Sequence, residues 1–379
     1  MKIIILIQCT NLGGMEHNML LLIDEIKKMN VEVEVVSINP IGKLGELLEA
    51  RGIQCEGSSY LGPWGFFSIL KLHRILASKT ADGLLMIGHN LMGELALGKL
   101  WKKHRVLSIH FHHKGVKSPL GWRLIYGIAV MKFRAIVFVS KYIMDEAISI
   151  SPFLAKLSIM VSTPVHAQIP FSDHVKIDAR RTLGISENNI VVGNAGWLIT
   201  RKRWDVYLAV AAEVLKSDPQ IRFLIAGDGP ERANLEKQAR DLGIADMIIW
   251  IGWQSKLLPF YQAIDILLFN SDWDAQARTP LEAMSYGIPL VSSILAGGTQ
   301  EVIYNDSMGY LIDQHDVGKL SAIILKLAHD PELRKLVGEN ERRRISEYGS
   351  PKVHAIKVLA SMRFYPKNNE CTEWTLDYE

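Results

Sequence analysis

Hydrophobic and polar positions along this 379-residue chain switch regularly between two periods. Short, near-continuous apolar runs read as strands buried on both faces. Stretches with apolar residues three and four apart read as helices laid over them. In the first half the expected strands are 2–8 (KIIILIQ), 31–38 (VEVEVVSI), 83–88, 105–111 and 135–140, with helices at 15–29, 42–52 and 66–78. Residues 166–185 break the rhythm and read as an interdomain segment. The alternation restarts at 189–198, with strands at 222–229, 247–253 and 265–270, helices at 203–216, 230–242 and 255–263, and closing helices within 316–363. This pattern predicts an α/β fold class of two successive doubly wound parallel sheets facing across a cleft. The expected division is a first domain over 1–170, a second over 171–352, and a C-terminal helix and tail over 353–379 that packs back on the first.

Ligands of such sheets sit at the carboxyl ends of the strands, so the loops there carry the candidate chemistry. Residues 265–303 are the most informative. An apolar strand ends near Phe269, a polar loop runs to Thr279-Pro280, and a helix is read as opening with Leu281-Glu282-Ala283-Met284. Asp274 and Glu282 stand eight residues apart across that junction. Free N–H groups at a helix start attract phosphate, and carboxylates accept hydrogen bonds from sugar hydroxyls. The layout suits a phosphorylated, hydroxyl-rich ligand.

Composition bounds the class. Hydrophobic residues make up 48% and charged residues 22% of the chain, values of a soluble globular protein with two ample cores. Cys9, Cys55 and Cys371 are far apart and odd in number, which fits a reducing, cytoplasmic setting. The segment MKIIILIQ lacks the long apolar core of a leader, and no run of ~18 apolar residues is present, so neither leader nor membrane span is expected. Charge is uneven. Residues 1–180 hold 21 Lys and Arg against 14 Asp and Glu, whereas 181–379 hold 22 against 26. Residues 95–144 hold ten basic and no acidic residues, including Lys102, Lys103 and Arg105. Two readings stay open for that stretch: a solvated basic face, or a surface that meets an anionic membrane or a phosphorylated acceptor. No nucleic-acid-binding motif surrounds it.

Other motifs carry alternatives. Gly13-Gly14 follows the first strand and opens a helix, a close-approach turn for phosphate or an ordinary βα turn. The run Arg201-Lys202-Arg203 follows the first strand of the second half, where it is either a solvated face or a grip on a diphosphate. His110 and His112 share one side of their strand. They read as polar histidines at a strand end rather than metal ligands, because no carboxylate completes a set. Asp272-Trp273-Asp274 is a D-x-D pattern that the two-sheet architecture does not need. Tyr60 to Phe67 reads as a core staple or as an aromatic anchor at a membrane interface.

In order and spacing, these residues resemble the retaining glycosyltransferases of family four (glycosyl transferases group 1), which have the GT-B fold of two Rossmann-like domains. The resemblance covers about residues 1–350 and is strongest over 189–312. Gly13-Gly14-Met15-Glu16 matches the family's first loop, His110 its donor-pocket histidine, and Val139-Ser140 its strand end. Gly196, Leu198, Lys202 and Asp205 match the diphosphate motif, with Trp197 in place of an arginine whose part Arg201 or Arg203 would take. Gly227-Asp228-Gly229-Pro230 matches a Gly-x-Gly-Pro turn, and Trp250 to Trp253 a base-contacting segment. Asp274 and Glu282 match a Glu-x7-Glu motif, the first shortened by a methylene and followed by Ala275-Gln276-Ala277 instead of Gly-Phe-Gly.

The resemblance implies a metal-independent, retaining glycosyltransferase with no cofactor. Its co-substrate would be a nucleotide-diphosphate sugar, with UDP favoured over GDP, and its acceptor a glycan or lipid-linked intermediate of cell-surface polysaccharide synthesis. His110 and Asp274 would serve catalysis. Gly13, Gly14, Arg201, Lys202, Gly252, Thr279, Leu281 and Glu282 would bind the donor. The setting would be cytoplasmic, with peripheral contact to an anionic membrane and no nucleic-acid partner. The alternatives are a nucleotide-sugar-binding protein with weak or lost catalysis and a sugar-nucleotide epimerase.

Overall fold

A computed structural model describes residues 1–8, 13–58, 65–110, 118–294, 296–303 and 305–364. The chain divides into two units, one formed by residues up to Pro164 together with those from Pro351, the other by Val165–Ser350.

The first unit is built on seven parallel strands: β1 (Lys2–Ile7), β2 (Glu32–Ser37), β3 (Gln54–Gly57), β4 (Gly83–Ile87), β5 (Arg105–Ile109), β6 (Ala135–Phe138) and β7 (Ser158–Met160), in the order β3-β2-β1-β4-β5-β6-β7. Ile3 to Ile7 of β1 are wholly buried, as a central strand covered on both faces requires. Helix Gly14–Lys28 covers it with Met19, Leu22, Ile23 and Ile26. Helix Pro351–Ser361 packs on that helix and adds Ala355, Val358 and Leu359 to the same core. Each of these Met, Leu, Ile and Val side chains is worth ~1.5–3 kcal/mol when fully buried. The imidazole of His354 completes the join, 2.8 Å from the Ser162 carbonyl.

The second unit repeats the plan with β8 (Val191–Ala195), β9 (Arg222–Ala226), β10 (Ile248–Gly252), β11 (Ile266–Phe269), β13 (Leu290–Ser293) and β15 (Tyr310–Ile312), in the order β10-β9-β8-β11-β13-β15. Two short segments, β12 (Trp273–Asp274) and β14 (Ala296–Gly297), pair with each other in parallel. Strand order reverses between β8 and β11, the place where a doubly wound sheet opens a crevice.

Two expectations change. The segment 166–185 contains helix Asp173–Thr182, which belongs to the second unit. Its inward face is carried partly by Arg180, whose charge hides the helix from an apolar-period reading. Arg180 donates to Asp265 Oδ2 at 2.5 Å and to the Ala263 carbonyl at 3.0 Å. Arg105, counted above with the basic surface, is wholly buried and donates to the Gly98 carbonyl at 3.1 Å; burial brings its guanidinium down to about 10.

Glu341, on helix Pro331–Tyr348, is also fully buried. Its Oε1 accepts from the Leu290 amide at 2.9 Å at the start of β13. Burial holds its pKa well above the usual carboxylate range, against the opposing pull of the Leu290 N–H. The folded state therefore keeps a proton that the unfolded chain has already released. Stability from this site is full below the ordinary carboxylate pKa and is lost as pH rises towards the folded value, by ~1.4 kcal/mol per pH unit. Glu341→Gln keeps the acceptor and removes the charge. Its Tm advantage over wild type is expected to grow from pH 5 to pH 8; parallel Tm profiles would refute a buried, protonated Glu341.

Candidate active site

The second unit gathers its polar chemistry where β8 and β11 end side by side. After β8 the chain turns through Gly196-Trp197 into a 3-10 turn, Thr200–Lys202. After β11 it runs through Ser271 and Asp272 into β12. Hydrogen bonds sew the two loops together. Ser271 Oγ lies 3.1 Å from the Arg201 carbonyl and 3.0 Å from that of Trp273, and the Asp272 amide donates to the Arg201 carbonyl at 2.8 Å. Gly297 fixes β12 from the other side. A Cβ there would lie 1.6 Å from the Asp274 carbonyl oxygen, so only glycine lets β14 approach closely enough to hold Asp274 in place.

Lys202 Nζ donates to Asp274 Oδ2 at 2.6 Å, and Arg201 Nη1 lies 3.5 Å from the same oxygen. Arg201 also donates to the Trp273 carbonyl at 3.1 Å and lies over the Trp273 ring, 4.4 Å from its centroid. The Lys202 ammonium sits 4.9 Å above Phe269. Burial pushes the Asp274 pKa up, but Lys202 and then Arg201 outweigh it and the net shift is downward. Asp274 is therefore an ionised carboxylate held between two cations. Arg203 goes elsewhere. Its guanidinium clasps Asp205 at 2.9 and 3.0 Å and reaches Asp272 at 3.2 Å, from a left-handed φ of 47°. Of the two arginines offered for the position of Trp197, Arg201 is the one that meets Asp274.

The helix after this loop spans Arg278–Ser285, three residues earlier than read from sequence. Proline suits a first turn because it has no N–H to satisfy. The earlier start places Leu281 at the fourth helical position, where its amide has the Ala277 carbonyl within the i to i−4 ladder, and its side chain is buried core. The Leu281 amide is thus not an open donor; the N–H groups outside the ladder are those that precede it in the first turn. Thr279 Oγ1 donates to the Ala195 carbonyl at 3.1 Å and pins the helix start to the end of β8. Glu282 is held at both oxygens. Tyr261 donates to Oε2 at 2.7 Å, and Arg278 Nη2 and Nε donate to Oε1 at 2.6 and 3.0 Å.

Gly252 ends β10 with φ of 67°, a conformation that glycine takes without strain, next to a register shift between Trp250 and Gly252. It aims Trp253 at Trp197. Their rings lie 4.7 Å apart and tilted, and both stay about half exposed. Paired indoles left in water offer a flat apolar face to a ring-shaped ligand.

In the first unit, Gly13 is the N-cap of helix Gly14–Lys28 and Gly14 its first residue. Glu16 folds under this start and is buried. Burial raises its pKa, opposed by hydrogen bonds from its own amide and that of Gly13 and by His17. His110 follows β5 with Nε2 2.8 Å from Ser108 Oγ. Burial, with His354 nearby, brings its pKa down to about 3, so the ring is neutral at physiological pH. His112, His113 and Tyr60 to Trp64 lie outside the described residues.

Sequence reasoning missed Tyr261, Arg278, Ser271 and Trp273. Arg278 and Glu282 share the i, i+4 spacing of a helical ion pair, a signal that the late helix start concealed. Tyr261 carried none, since it meets Glu282 only through the packing of helix Leu258–Ala263. Asp272 and Asp274, the D-x-D pair, each have a cationic partner. Among the described residues no three His, Cys, Asp or Glu side chains converge on a point that could hold a metal ion.

Comparison with known proteins fits this arrangement. Residues 175–344 match the family model for glycosyl transferases group 1. The chain is 23% identical to an uncharacterized glycosyltransferase of Haemophilus influenzae over 345 residues, 90% of this chain and 94% of that one. It is 28% identical to the N-acetyl-alpha-D-glucosaminyl L-malate synthase of Bacillus anthracis over 44% of each chain. In that relative and six further ones the match spans 40–49% of their length. Among solved structures, HepE of Anabaena in complex with UDP superposes with a TM-score of 0.83 at 20% identity, covering 96% of this chain and all of that one. With its two doubly wound parallel-sheet domains the chain has the GT-B fold, and its residues 175–344 carry the signature of glycosyl transferases group 1.

Proposed function

We propose that this enzyme transfers a sugar, with retention of anomeric configuration and without a metal ion, from a UDP-sugar to a glycan or lipid-linked acceptor of surface polysaccharide synthesis. The observation that carries the reading is the Asp274 carboxylate held by Lys202 and Arg201 at the meeting of β8 and β11. A diphosphate entering this crevice competes for both cations, and charge-assisted bonds to phosphate oxygens replace those to Asp274. The freed carboxylate then faces the sugar. As the bond from the anomeric carbon to the β-phosphate oxygen breaks, charge grows on the leaving UDP, where Lys202 and Arg201 stabilise it. The acceptor oxygen bonds to the same face of that carbon, and its proton passes to the leaving phosphate. Asp274 supports positive charge at the carbon, Glu282 holds the ribose hydroxyls and the amides near Thr279 border the phosphates; His110, Gly13 and Gly14 of the first unit keep the sugar and phosphate roles that the family resemblance implies. Trp197 and Trp253, beside Gly252, supply a face for the base. The UDP bound by the Anabaena neighbour, also solved with UDP-glucose, supports a uridine donor. The enzyme works in the cytoplasm.

The test is a thermal-shift series with UDP, GDP and ADP, with and without EDTA, on wild type and Glu282→Ala, followed by NMR of the product. UDP at a hundredfold its Kd is expected to stabilise wild type by ~2.7 kcal/mol, regardless of EDTA, and the alanine variant far less. Product NMR should show the donor's anomeric configuration. No shift with any nucleotide would overturn the donor assignment. Binding without turnover would favour a nucleotide-sugar binder, and altered donor without acceptor an epimerase.

A further inference from the structure

The second unit holds a cavity of about 600 Å³ at the end of its sheet opposite the candidate active site. Ile190, Asp265 and Pro289, the residues just before β8, β11 and β13, line it, whereas the active-site loops leave the far ends of β8 and β11. Helix Asp173–Thr182 and the start of helix Pro331–Tyr348 supply further walls, so every lining residue belongs to this unit. The volume lies within the ~300–1,000 Å³ of small-molecule sites and is far more than a lone ion fills. None of the residues given a part in donor binding or catalysis lines it.

Its charges are unevenly matched. Lys176 and Arg180 share a single carboxylate, Asp265, at 3.2 and 2.5 Å, which leaves one positive charge in excess. Arg334 also lines the cavity. It spends Nη1 on the carbonyls of Leu327 and Ala328, at 2.5 and 2.7 Å, and meets no carboxylate among the described residues. Lys335 beside it is exposed and has no partner among the described residues. Two further carboxylates, Asp173 and Glu187, are exposed and outside any ion pair among the described residues. Asn189 donates from Nδ2 to the Gln220 carbonyl at 2.6 Å, leaving its amide oxygen open. Phe171 and Tyr286, stacked with ring centroids 4.5 Å apart, add an apolar wall.

We propose that this cavity binds a hexose monophosphate, with Lys335, Arg334 and Lys176 on the phosphate and Asp173, Glu187 and Asn189 on the sugar hydroxyls. Ammonium and guanidinium groups with open N–H donors form charge-assisted bonds to phosphate oxygens. Carboxylates and amide oxygens accept from hydroxyls, and the aromatic wall suits the apolar face of a sugar ring. The mixture selects against other anions. Inorganic phosphate would leave most of the volume empty and the carboxylates without a donor. A diphosphate or a dicarboxylate would set its second charge against Asp173 and Glu187, and that repulsion limits the ligand to one anionic end. The site is independent of the donor chemistry, and its test needs no turnover.

The experiment is titration calorimetry of the full chain with glucose, mannose and galactose 6-phosphates and the matching 1-phosphates. Free glucose and inorganic phosphate serve as controls, and each titration is run with and without saturating UDP. The variants are Lys335→Glu, at an exposed position, and Ile177→Trp, which puts an indole into the cavity wall. Circular dichroism checks the fold of both, and Lys335→Glu decides alone if the tryptophan variant does not fold. Wild type is expected to bind at least one hexose phosphate, equally with and without UDP and less tightly as salt rises. Lys335→Glu should bind it about tenfold or more weakly, the usual weight of a charged hydrogen bond, and Ile177→Trp should not bind it. No binding of any hexose phosphate, or affinity unchanged in Lys335→Glu, would overturn the proposal. Inorganic phosphate or free glucose binding as tightly as the sugar phosphate would do the same. Displacement by UDP would place the ligand in the donor site instead.

Discussion

Alanine at Lys202 is expected to lower turnover by ~10²–10³-fold, the usual cost of removing a group placed where transition-state charge develops. The ammonium is mostly buried, 2.6 Å from Asp274 and above the Phe269 ring, so it is desolvated before the donor arrives. Charge stabilisation is strong in such surroundings because little solvent screens it. Once Lys202 is gone, the cation left beside Asp274 among the described residues is Arg201, at 3.5 Å. This predicts a second signature. Because its cations lower its pKa in the folded state, Asp274 contributes stability above the ordinary carboxylate pKa and loses it as pH falls through the folded value. The stability deficit of Lys202→Ala should accordingly be largest near neutral pH and shrink under acid. Initial rates of UDP release, UDP calorimetry and Tm profiles check each part. Lys202→Arg should recover part of the rate, as a cation of different shape. Wild-type kcat/KM in Lys202→Ala would remove this residue from the reaction.

The largest stability effect is expected at Asp265. This carboxylate lies almost buried before β11, where Oδ2 accepts from Arg180 Nη2 at 2.5 Å and from the Val191 amide at 2.9 Å, while Oδ1 accepts from Lys176 at 3.2 Å. It ties helix Asp173–Thr182 to the starts of β8 and β11, the two strands whose far ends form the site. Asp265→Ala leaves the buried Arg180 guanidinium without its counter-charge, and breaking such a pair costs ~3–5 kcal/mol. Urea denaturation of Asp265→Ala and Asp265→Asn measures it. The asparagine variant keeps an acceptor for Val191 and should lose less. A change within about 0.5 kcal/mol, the range of ordinary surface substitutions, would mean that Arg180 is satisfied without Asp265.

The loops that carry the candidate site could be placed before any coordinates because they follow apolar strands whose ends the sequence marks. Gly252, placed at the site by the resemblance, is a left-handed end to β10, while the part of Gly297, where β14 touches the Asp274 backbone, was not read from the sequence. The first need acts within one turn of the chain; the second joins two separate loops and shows only once they are packed together. The helix after the loop was read three residues late because Arg278 and Thr279 look like loop residues, though they form its first turn. Helix Asp173–Thr182 was read as linker because a charged pair, and not an apolar stripe, holds its inner face.

What the sequence by itself determined is the alternation of elements, the two sheets and the order of the motifs along them. Those rest on periods of two and 3.6 residues and on single-residue conformations, which are properties of neighbours in the chain. Only the tertiary structure decided which cation each carboxylate meets. Lys202 reaches Asp274 across 72 residues, Arg203 turns instead to Asp205 and Asp272, and Tyr261 closes on Glu282. It also decided that Arg105 lies in the core while Leu120, Leu124 and Met131 face outward. Pairing and exposure depend on what packs opposite a residue, and the periodicity of its own segment does not encode that.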